Sequence, residues 1–533
     1  MSDTVHGIDA ETLKAWLHDG GEIALLDARE EVPFDRRHLL MAACVPASRL
    51  EMIVGDSVPR QWARVVWCDD GEGLALRAAS RMVALGYGDV SVLEGGVSAW
   101  EAAGYRVYSG VNVPSKAFAE VVEHQAGTPW ITAEQLQGLI ESHADIAIFD
   151  SRSYEEFHAN SIPGAISVPG AELLYRFADL VPSADTMVVV NCGGRTRSII
   201  GAQSLINAGV QNKVVSLKNG TQAWHLAGYQ VMTGETARAP AVSAVGHAAA
   251  RAAAERVAQR FGIRSIDAAV LRQWQAEADA RTLYVFDVRT SEEYAASHVP
   301  GTKHIAGGQL VQETDRHAAT WGARIVLVDD DGVRATMTAH WMKQMGWDVA
   351  TMTVDMHLAG IASGPYVPRV RGLEGLSVPE IDAAALRARL AGGSATVVDL
   401  DWSRDYVAGH IPGAFYVIRS RLAGVLKNIP AAAATVFTSS DGTLSKLAAA
   451  EWATGASGPV LALSGGTAAW RAAGYALEAG ATRMASAPED ARLRAREQSG
   501  SVEDAMRAYL SWEIELANQM AVDDDQRFQV MVG

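Results

Sequence analysis

The sequence predicts an α/β protein of four tandem domains, each a parallel sheet flanked by helices, followed by a helical C-terminal tail. The chain of 533 residues is long enough for about three to five domains. The same order of landmarks occurs four times along it. In every occurrence short apolar strands alternate with helical segments, a pattern typical of parallel sheets with helices on both faces.

Each of the four copies begins with an apolar strand that ends in an aspartate. These aspartates are Asp27, Asp150, Asp287 and Asp399. A Pro-Gly turn follows in three copies, at 162–165, 299–302 and 411–414. The first copy has Leu-Met-Ala-Ala at 40–43 instead. Since each segment then continues into a second strand, we expect each copy to form one sheet.

A closing signature ends three of the copies, and the third copy lacks it. Its last residue is Trp100, Trp224 or Trp470. Cys68 and Cys192 are separated by the same number of residues as Trp100 and Trp224, which indicates a true internal repeat. We expect the recurring tryptophans to pack in the cores.

These landmarks set the domain boundaries. We place copy one at 1–110, copy two at 128–235, a helical linker at 236–262, copy three at 263–371, copy four at 374–480 and the helical tail at 481–533. The tail carries apolar residues such as Leu510, Trp512 and Leu516, which we expect to pack on the rest of the chain.

Composition excludes several classes of protein. The net charge is −16, which argues against a nucleic-acid or anionic-membrane partner. No apolar run is long enough to span a bilayer, and the first residues lack a signal-peptide pattern. The three cysteines are too few for a disulfide framework. We therefore expect a cytoplasmic protein.

The loop around Cys192 is the strongest candidate for chemistry. Cys192 follows the apolar run 187–190 and precedes an amphipathic helix that begins near Ser198. Glycines and arginines fill the turn between them. Loop N–H groups and the positive end of a helix favour a thiolate and can hold an anion. We predict that Cys192 is a reactive nucleophile.

The carboxyl ends of neighbouring parallel strands meet at one edge of a sheet, so other residues should join Cys192. The predicted binding residues are Gly193, Gly194, Arg195, Thr196, Arg197, Arg152 and Lys218. Cations there would stabilise both a thiolate and an anionic substrate. Arg152 could instead pair with Asp150 to brace the loop, and Lys218 could be a solvated surface lysine.

The equivalent loops of the other copies look weaker. Acidic residues flank Cys68, which should raise its pKa and leave it at best a secondary nucleophile. Asp329 and Ser439 stand at the cysteine position of copies three and four, which therefore lack the sulfur atom. We expect no metal site, and we expect Cys44 to be a core residue.

Taken together, these motifs resemble the rhodanese family of sulfurtransferases over nearly the whole chain. The residues that carry the resemblance are Asp150-Ser151-Arg152 with Glu156-Phe157, the Ile-Pro-Gly-Ala turn, the Cys192 loop and Ala223-Trp224. The resemblance implies that sulfane sulfur passes from thiosulfate or a mercaptopyruvate-like donor through a Cys192 persulfide to cyanide or a thiol. It implies no cofactor, and it implies that copy one walls the site in copy two.

Two details of the loop bear on that resemblance. In the family the loop holds six residues, as do residues 192–197, whereas related phosphatases have one more. This length favours sulfur over phosphate. Arg195 stands where many members have glycine, which leaves the identity of the donor open.

Two alternatives remain. The protein could be a persulfide relay or scaffold, in which Cys192 accepts sulfur from a partner protein that docks on the inactive copies. It could also be an oxyanion reductase of the arsenate type or a redox sensor, with Cys68 as the resolving thiol. Copies three and four are expected to be structural or to bind a partner.

Overall fold

The computed structural model describes residues 5–181, 183–357, 360–453, 458–498 and 500–531. Each of the four copies forms its own parallel sheet flanked by helices, which confirms the predicted fold class. Apolar residues of the strands and of the facing helices fill the cores. Trp100, Trp224 and Trp470 are buried in them, as expected.

Copy one contains a sheet with the strand order β1-β5-β4-β2, and β3 pairs with β2. Its elements are β1 (His6–Ile8), α1 (Ala10–His18), β2 (Ile23–Asp27), α2 (Glu31–Arg36), β3 (Ala43–Cys44), α3 (Leu50–Ser57), β4 (Val65–Cys68), α4 (Leu74–Ala84), β5 (Val90–Leu93) and α5 (Gly96–Ala102). A connecting helix, α6 (Val113–Ala126), leads to copy two.

Copy two contains a sheet with the strand order β6-β10-β9-β7-β8. Its elements are β6 (Trp130–Ile131), α7 (Ala133–Glu141), β7 (Ile146–Asp150), α8 (Tyr154–Ala159), β8 (Ile166–Ser167), α9 (Glu172–Leu180), β9 (Met187–Asn191), α10 (Thr196–Asn207), β10 (Val214–Leu217) and α11 (Gly220–Leu226). The linker forms α12 (Ala244–Phe261), and one face of this helix is buried through Ala250, Ala254, Val257 and Phe261.

Copy three repeats the strand order as β11-β16-β15-β12-β13. Its elements are β11 (Arg264–Ser265), α13 (Ala268–Ala276), β12 (Leu283–Asp287), α14 (Ser291–Ala296), β13 (Lys303–His304), α15 (Gly307–Gln312), α16 (Thr314–His317), β14 (Thr320–Trp321), β15 (Arg324–Asp329), α17 (Arg334–Gln344) and β16 (Asp348–Thr353). Strand β14 leaves this sheet and pairs antiparallel with β2 of copy one, a pairing between copies that the sequence did not indicate.

Copy four has the strand order β17-β21-β20-β18-β19. Its elements are β17 (Glu380–Ile381), α18 (Ala383–Ala391), β18 (Ala395–Asp399), α19 (Ser403–Ala408), β19 (Phe415–Tyr416), α20 (Leu422–Val425), β20 (Ala434–Thr438), α21 (Thr443–Ala453), β21 (Val460–Leu463) and α22 (Gly466–Ala472). Short 3-10 turns lie at Arg419–Arg421 and Leu426–Asn428, and another lies in the tail at Ala495–Glu497.

The tail is helical over α23 (Val502–Met520), but long segments on both sides of this helix are irregular. Leu510 and Leu516 are buried against the rest of the chain, whereas Ile514 is exposed. Helix α23 packs along the connecting helix α6. Within the described residues, no helix combines the length and the apolar character that crossing a bilayer requires.

Candidate active site

The Cys192 loop joins β9 to α10 at the carboxyl edge of the copy-two sheet. Strand β9 lies between β7 and β10, so the residues that follow these three strands meet at this edge. Cys192 is 2% exposed, and its Sγ lies 3.6 Å from Ser198 Oγ in the first turn of α10. The predicted placement of the thiol at a strand-to-helix turn agrees with the structure.

The pKa of the Cys192 thiol reflects opposing effects. Burial raises it above its ordinary value, whereas the positive charge of Arg197 and hydrogen bonds from Ser198 lower it. The carboxylate of Glu513 raises it further. Arg197 and Ser198 therefore favour the thiolate, as the sequence predicts, but burial outweighs their effect on the pKa.

The closing signature of copy two holds the loop in place. The carbonyl oxygen of Cys192 accepts hydrogen bonds from the backbone N–H of Thr221 at 2.8 Å and from its Oγ1 at 3.1 Å. Gly220 has φ +54°, and a Cβ at this position would lie 2.3 Å from that carbonyl oxygen. Only glycine allows so close an approach, which explains why glycine is the first residue of α11.

Arg152 braces the site. Its guanidinium pairs with Asp150 through Nε at 2.9 Å and Nη2 at 2.7 Å, and it also donates to Asn160. Both members of the pair are buried. Arg29 and Asp27 repeat the arrangement in copy one, and Arg289 and Asp287 in copy three. This is the bracing role that the sequence left open, although Arg152 also lines the cavity described below.

Arg197 faces the thiol, but Arg195 does not lie where the sequence placed it. Arg197 pairs with Glu156 at 2.6 Å and lines the cavity. Arg195 turns toward α6, where it pairs with Glu120 at 2.6 Å and with Glu123. The expectation that Arg195 is a cation available to an anionic substrate is corrected, because two carboxylates already occupy its guanidinium.

Lys218 also lies away from the thiol. Its Nζ lies 3.8 Å from the centroid of the Trp130 ring, and the residue does not line the cavity. This cation–π contact with Trp130 explains the direction in which the Lys218 side chain points. Thr196 is engaged as well, since its Oγ1 donates to Glu513 at 2.8 Å.

Two helices that the sequence analysis did not assign to the site contribute to it. Helix α6 supplies the carboxylates that bind Arg195. Helix α23 supplies Glu513, which is 1% exposed, and Tyr509, whose hydroxyl donates to Glu513 at 3.3 Å. Glu513 Oε2 is buried without a hydrogen-bond partner among the described residues, and it would lie 3.1 Å from a Cβ on Gly194.

Sheet register shows that Cys68 is not the equivalent of Cys192. Asp150 pairs with Asn191 in copy two, and Asp27 pairs with Cys68 in copy one. Asp69 therefore occupies the nucleophile position, because copy one has one residue fewer between this loop and its closing glycine. The same register confirms Asp329 and Ser439 at this position in copies three and four.

Hydrogen bonding supports this alignment. In copies one, three and four the side chain at the position of Cys192 accepts a hydrogen bond from the backbone N–H six residues later. In copy two the backbone N–H of Ser198 donates to Cys192 in the same way. The pairs are Ala75 to Asp69, Ala335 to Asp329 and Ser445 to Ser439. Cys68 instead lies fully buried in the copy-one core, and burial raises its pKa well above the ordinary value. This position does not support Cys68 as a secondary nucleophile or a resolving thiol.

Copy three shows how such a loop holds a carboxylate. Asp331 stands at the position of Gly194 and accepts from the N–H of Val333 at 2.5 Å and of Arg334 at 3.0 Å. Its other oxygen accepts from Arg334 Nε at 2.6 Å. Arg334 is the equivalent of Arg197 by register. In copy two, Gly193 and Gly194 supply no side-chain carboxylate at this point. The loop N–H groups and Arg197 are therefore suited to an anionic ligand.

A cavity of about 1200 Å³ opens onto this loop. Copy two contributes Gly193, Gly194 and Arg197 to its lining, and all the other copies and the tail contribute further residues. Cys44 is one of them. It packs against the core, as expected, but it is only half-buried, because β3 ends at the cavity wall.

The fold and the site define a class of protein: tandem parallel α/β domains, one of which carries a buried cysteine in the loop between a central strand and a helix. Comparison with known proteins agrees. A family model described as the rhodanese-like domain matches residues 9–103, 132–227, 267–356 and 382–473. The chain therefore belongs to the rhodanese-like domain family and contains four copies of the domain.

A solved relative has the same overall architecture. The crystal structure of a thiosulfate sulfurtransferase from Pseudomonas aeruginosa is 44% identical, with a TM-score of 0.96, and the match covers 99% of this chain and 100% of that chain. All four copies and the tail are therefore shared with a protein of that name.

Two curated proteins of Mycobacterium tuberculosis match one domain's length of the chain. The HTH-type transcriptional regulator Rv0324 is 34% identical over 90 residues, and the probable adenylyltransferase/sulfurtransferase MoeZ is 31% identical over 97 residues. Each match covers 17% of this chain, and the matches cover 39% and 24% of those relatives. The chain therefore spans well under half of either one.

Proposed function

We propose that this protein is a sulfurtransferase that carries sulfane sulfur on Cys192. The observation that carries the proposal is the copy-two loop. It places a cysteine beside loop N–H donors and Arg197, at a point where copy three holds the carboxylate of Asp331 and copy two has glycine. An anionic sulfur donor such as thiosulfate, or a mercaptopyruvate-like donor, matches this arrangement. The solved relative named as a thiosulfate sulfurtransferase supports the same chemistry.

The reaction has two steps. The Cys192 thiolate attacks the outer sulfur of thiosulfate, the S–S bond of the donor breaks, and sulfite leaves with its electron pair. Cyanide or a thiolate then attacks the outer sulfur of the Cys192 persulfide, and the cysteine thiolate is released. Arg197 and the loop N–H groups stabilise the negative charge in both steps. No oxidant or cofactor enters this balance.

The test is thiocyanate formation from thiosulfate and cyanide, together with the intact mass of the protein after incubation with thiosulfate. Wild type should gain the mass of one sulfur atom and turn over. Cys192→Ser should do neither, whereas Cys68→Ser and Cys44→Ser serve as matched thiol controls and should keep both activities. A persulfide that still forms in Cys192→Ser would refute the proposal. So would a wild type that forms none with either thiosulfate or mercaptopyruvate.

A further inference from the structure

The tail helix α23 brings to the Cys192 loop a carboxylate oxygen that has no partner. Glu513 is 1% exposed, and its Oε1 accepts hydrogen bonds from Thr196 Oγ1 at 2.8 Å and from the Tyr509 hydroxyl at 3.3 Å. Its Oε2 is also buried, and among the residues that the structure describes it has no hydrogen-bond partner. An unpaired buried carboxylate oxygen is unfavourable, so a ligand that donates a hydrogen bond to it would relieve this cost.

Glu513 lies beside the place where an anion would bind to the loop. Its Oε2 would lie 3.1 Å from a Cβ on Gly194, a residue that lines the cavity. In copy three, Asp331 stands at this position, and its carboxylate binds the loop N–H groups and Arg334. The sulfur of Cys192 is within electrostatic reach of Glu513. A sulfur donor bound at the thiol is therefore exposed to the charge of this carboxylate.

The cations near Glu513 are engaged elsewhere. Lys116 and Arg195 are both within electrostatic reach of it. Lys116 Nζ donates to the carbonyl oxygen of Val111 at 2.7 Å and lies 5.0 Å from the centroid of the Trp512 ring. Arg195 is paired with the carboxylates of α6. Within the part of the chain that the structure describes, Glu513 forms no ion pair, so its charge is left unbalanced.

The arginine that faces the thiol brings no surplus of positive charge. Arg197 pairs with Glu156 at 2.6 Å, and Glu313 of copy three is also within its electrostatic reach. The loop can therefore hold one anionic group through its N–H donors and Arg197, while Glu513 repels any further negative charge. An unpaired charge of this kind discriminates between ligands of similar shape and different charge.

We propose that Glu513 selects the sulfur donor by charge, favouring a donor with a single negative charge, above all one that also carries an ammonium group, over one with two negative charges. The inference rests on the proposed sulfurtransferase function and names the donor class for the same site. Thiosulfonates are donors of this class. The Cys192 thiolate attacks their outer sulfur, the S–S bond breaks, and the sulfinate leaves with the electron pair. An ammonium group on the donor would donate to Glu513 Oε2.

The test compares three donors that share the reacting sulfur and differ in charge. Thiosulfate carries two negative charges, methanethiosulfonate carries one, and aminoethanethiosulfonate carries one that its ammonium group balances. With cyanide as the acceptor, kcat/KM is measured for each donor. Glu513→Gln should raise kcat/KM for thiosulfate about tenfold relative to methanethiosulfonate, the effect of one charge a few ångströms away. It should lower the value for aminoethanethiosulfonate on the same scale.

Ratios between donors cancel any change in the reactivity of Cys192 itself. Glu515→Gln, on the exposed face of the same helix, is the matched control and should leave these ratios at their wild-type values. If Glu513→Gln changed kcat/KM by the same factor for all three donors, Glu513 would act only on the thiol or on the structure, and the proposal would be overturned.

A second experiment needs no sulfur transfer, and so it separates this inference from the function on which it rests. Sulfate, methanesulfonate and taurine have oxygen in place of the outer sulfur, so they cannot react, but they carry the charges of the three donors. Each is tested for protection of Cys192 against iodoacetamide, with the alkylated peptide identified by mass. Glu513→Gln should strengthen protection by sulfate relative to methanesulfonate and weaken protection by taurine, even if no donor forms a persulfide. Absence of protection by all three, or equal ratios in wild type and Glu513→Gln, overturns the proposal.

Discussion

One arginine and one carboxylate shift the pKa of the Cys192 thiol in opposite directions. Arg197 lowers the pKa of the thiol, and Glu513 from the tail helix raises it. Glu513 also lies beside Gly194, close to the place where copy three holds its own carboxylate on Asp331. The tail therefore brings a negative charge close to the position that the Asp331 carboxylate occupies in copy three.

Replacing Glu513 by glutamine should lower the pKa of Cys192. The substitution removes the negative charge but keeps an oxygen that can accept from Thr196 Oγ1. The rate of alkylation by iodoacetamide as a function of pH measures the change. Glu515→Gln on the same helix is the control, because Glu515 is exposed and bonded to Asn518. Equal pH profiles for the two variants would contradict this account.

The sequence predicted which residues follow the three strands, but not where their side chains point. The loop, the placement of Cys192 in it and the brace at Asp150 could be predicted because their signals are local: a strand, a turn and a helix start. Arg195 and Lys218 could not be placed this way. Glu120 and Trp130, the partners that orient them, lie on other elements. The assignment of Cys68 as the equivalent of Cys192 was wrong, because copy one has one residue fewer between this loop and the closing glycine, and the equal spacing of the cysteines and the tryptophans conceals that deletion.

Among the elements, helix α23 covers the Cys192 loop. Tyr509 and Glu513 lie over the Cys192 loop, and Trp512 packs against copy one at Gly110. Gly110 has φ +102°, and a Cβ there would lie 2.1 Å from the Trp512 ring. The close approach of Trp512 to copy one therefore requires a glycine at position 110.

Gly110→Ala should loosen α23 and expose the thiol. The clash with Trp512 adds roughly 1–3 kcal/mol to the strain of a left-handed alanine. Gly104→Ala is a control matched for that strain, since Gly104 has φ +89° with nothing within 4 Å. We expect a lower Tm and faster alkylation of Cys192 in Gly110→Ala than in Gly104→Ala. Similar values for the two variants would show that the helix does not depend on this contact.

The contribution of whole elements to the site was only partly predictable. The connecting helix α6 has proline near its start and Gly127 after its end, a local signal from which a helix at this position can be predicted. The tail helix could be predicted as a helix that packs on its own chain. Its contact with the Cys192 loop depends on how distant segments come together, for which a single sequence holds no signal.

At the scale of the whole molecule, copy one contacts both copy three and copy four. Its sheet takes up β14 of copy three, and Glu51 in α3 forms a bidentate ion pair with Arg419 of copy four at 2.7 and 3.0 Å. Both side chains are buried. Because the copies share a cavity, the contacts that join them also shape the site.

The Glu51–Arg419 pair should make the joining of copies one and four sensitive to acid. Burial favours a raised pKa for Glu51, but Arg419 and Arg81 hold it below its ordinary value. The stabilisation is therefore complete above that ordinary value and is lost as the pH falls below it. Arg419→Met should cost about 3 kcal/mol at neutral pH, because it leaves a buried carboxylate with one fewer partner. The deficit should shrink in acid as Glu51 becomes protonated.

Denaturant unfolding of wild type and Arg419→Met at several pH values measures this difference. Arg507→Met removes an exposed pair with Asp504 and should cost less than about 0.5 kcal/mol at any pH. Adding Glu51→Met to Arg419→Met should restore most of the loss, because the buried carboxylate is gone and its other partner, Arg81, is 42% exposed to solvent. If Arg419→Met cost no more than Arg507→Met, or if its deficit were the same at every pH, the pair would not be what joins copy four to copy one. The β14 pairing and the cavity-lining contacts would then have to hold the four copies together without it.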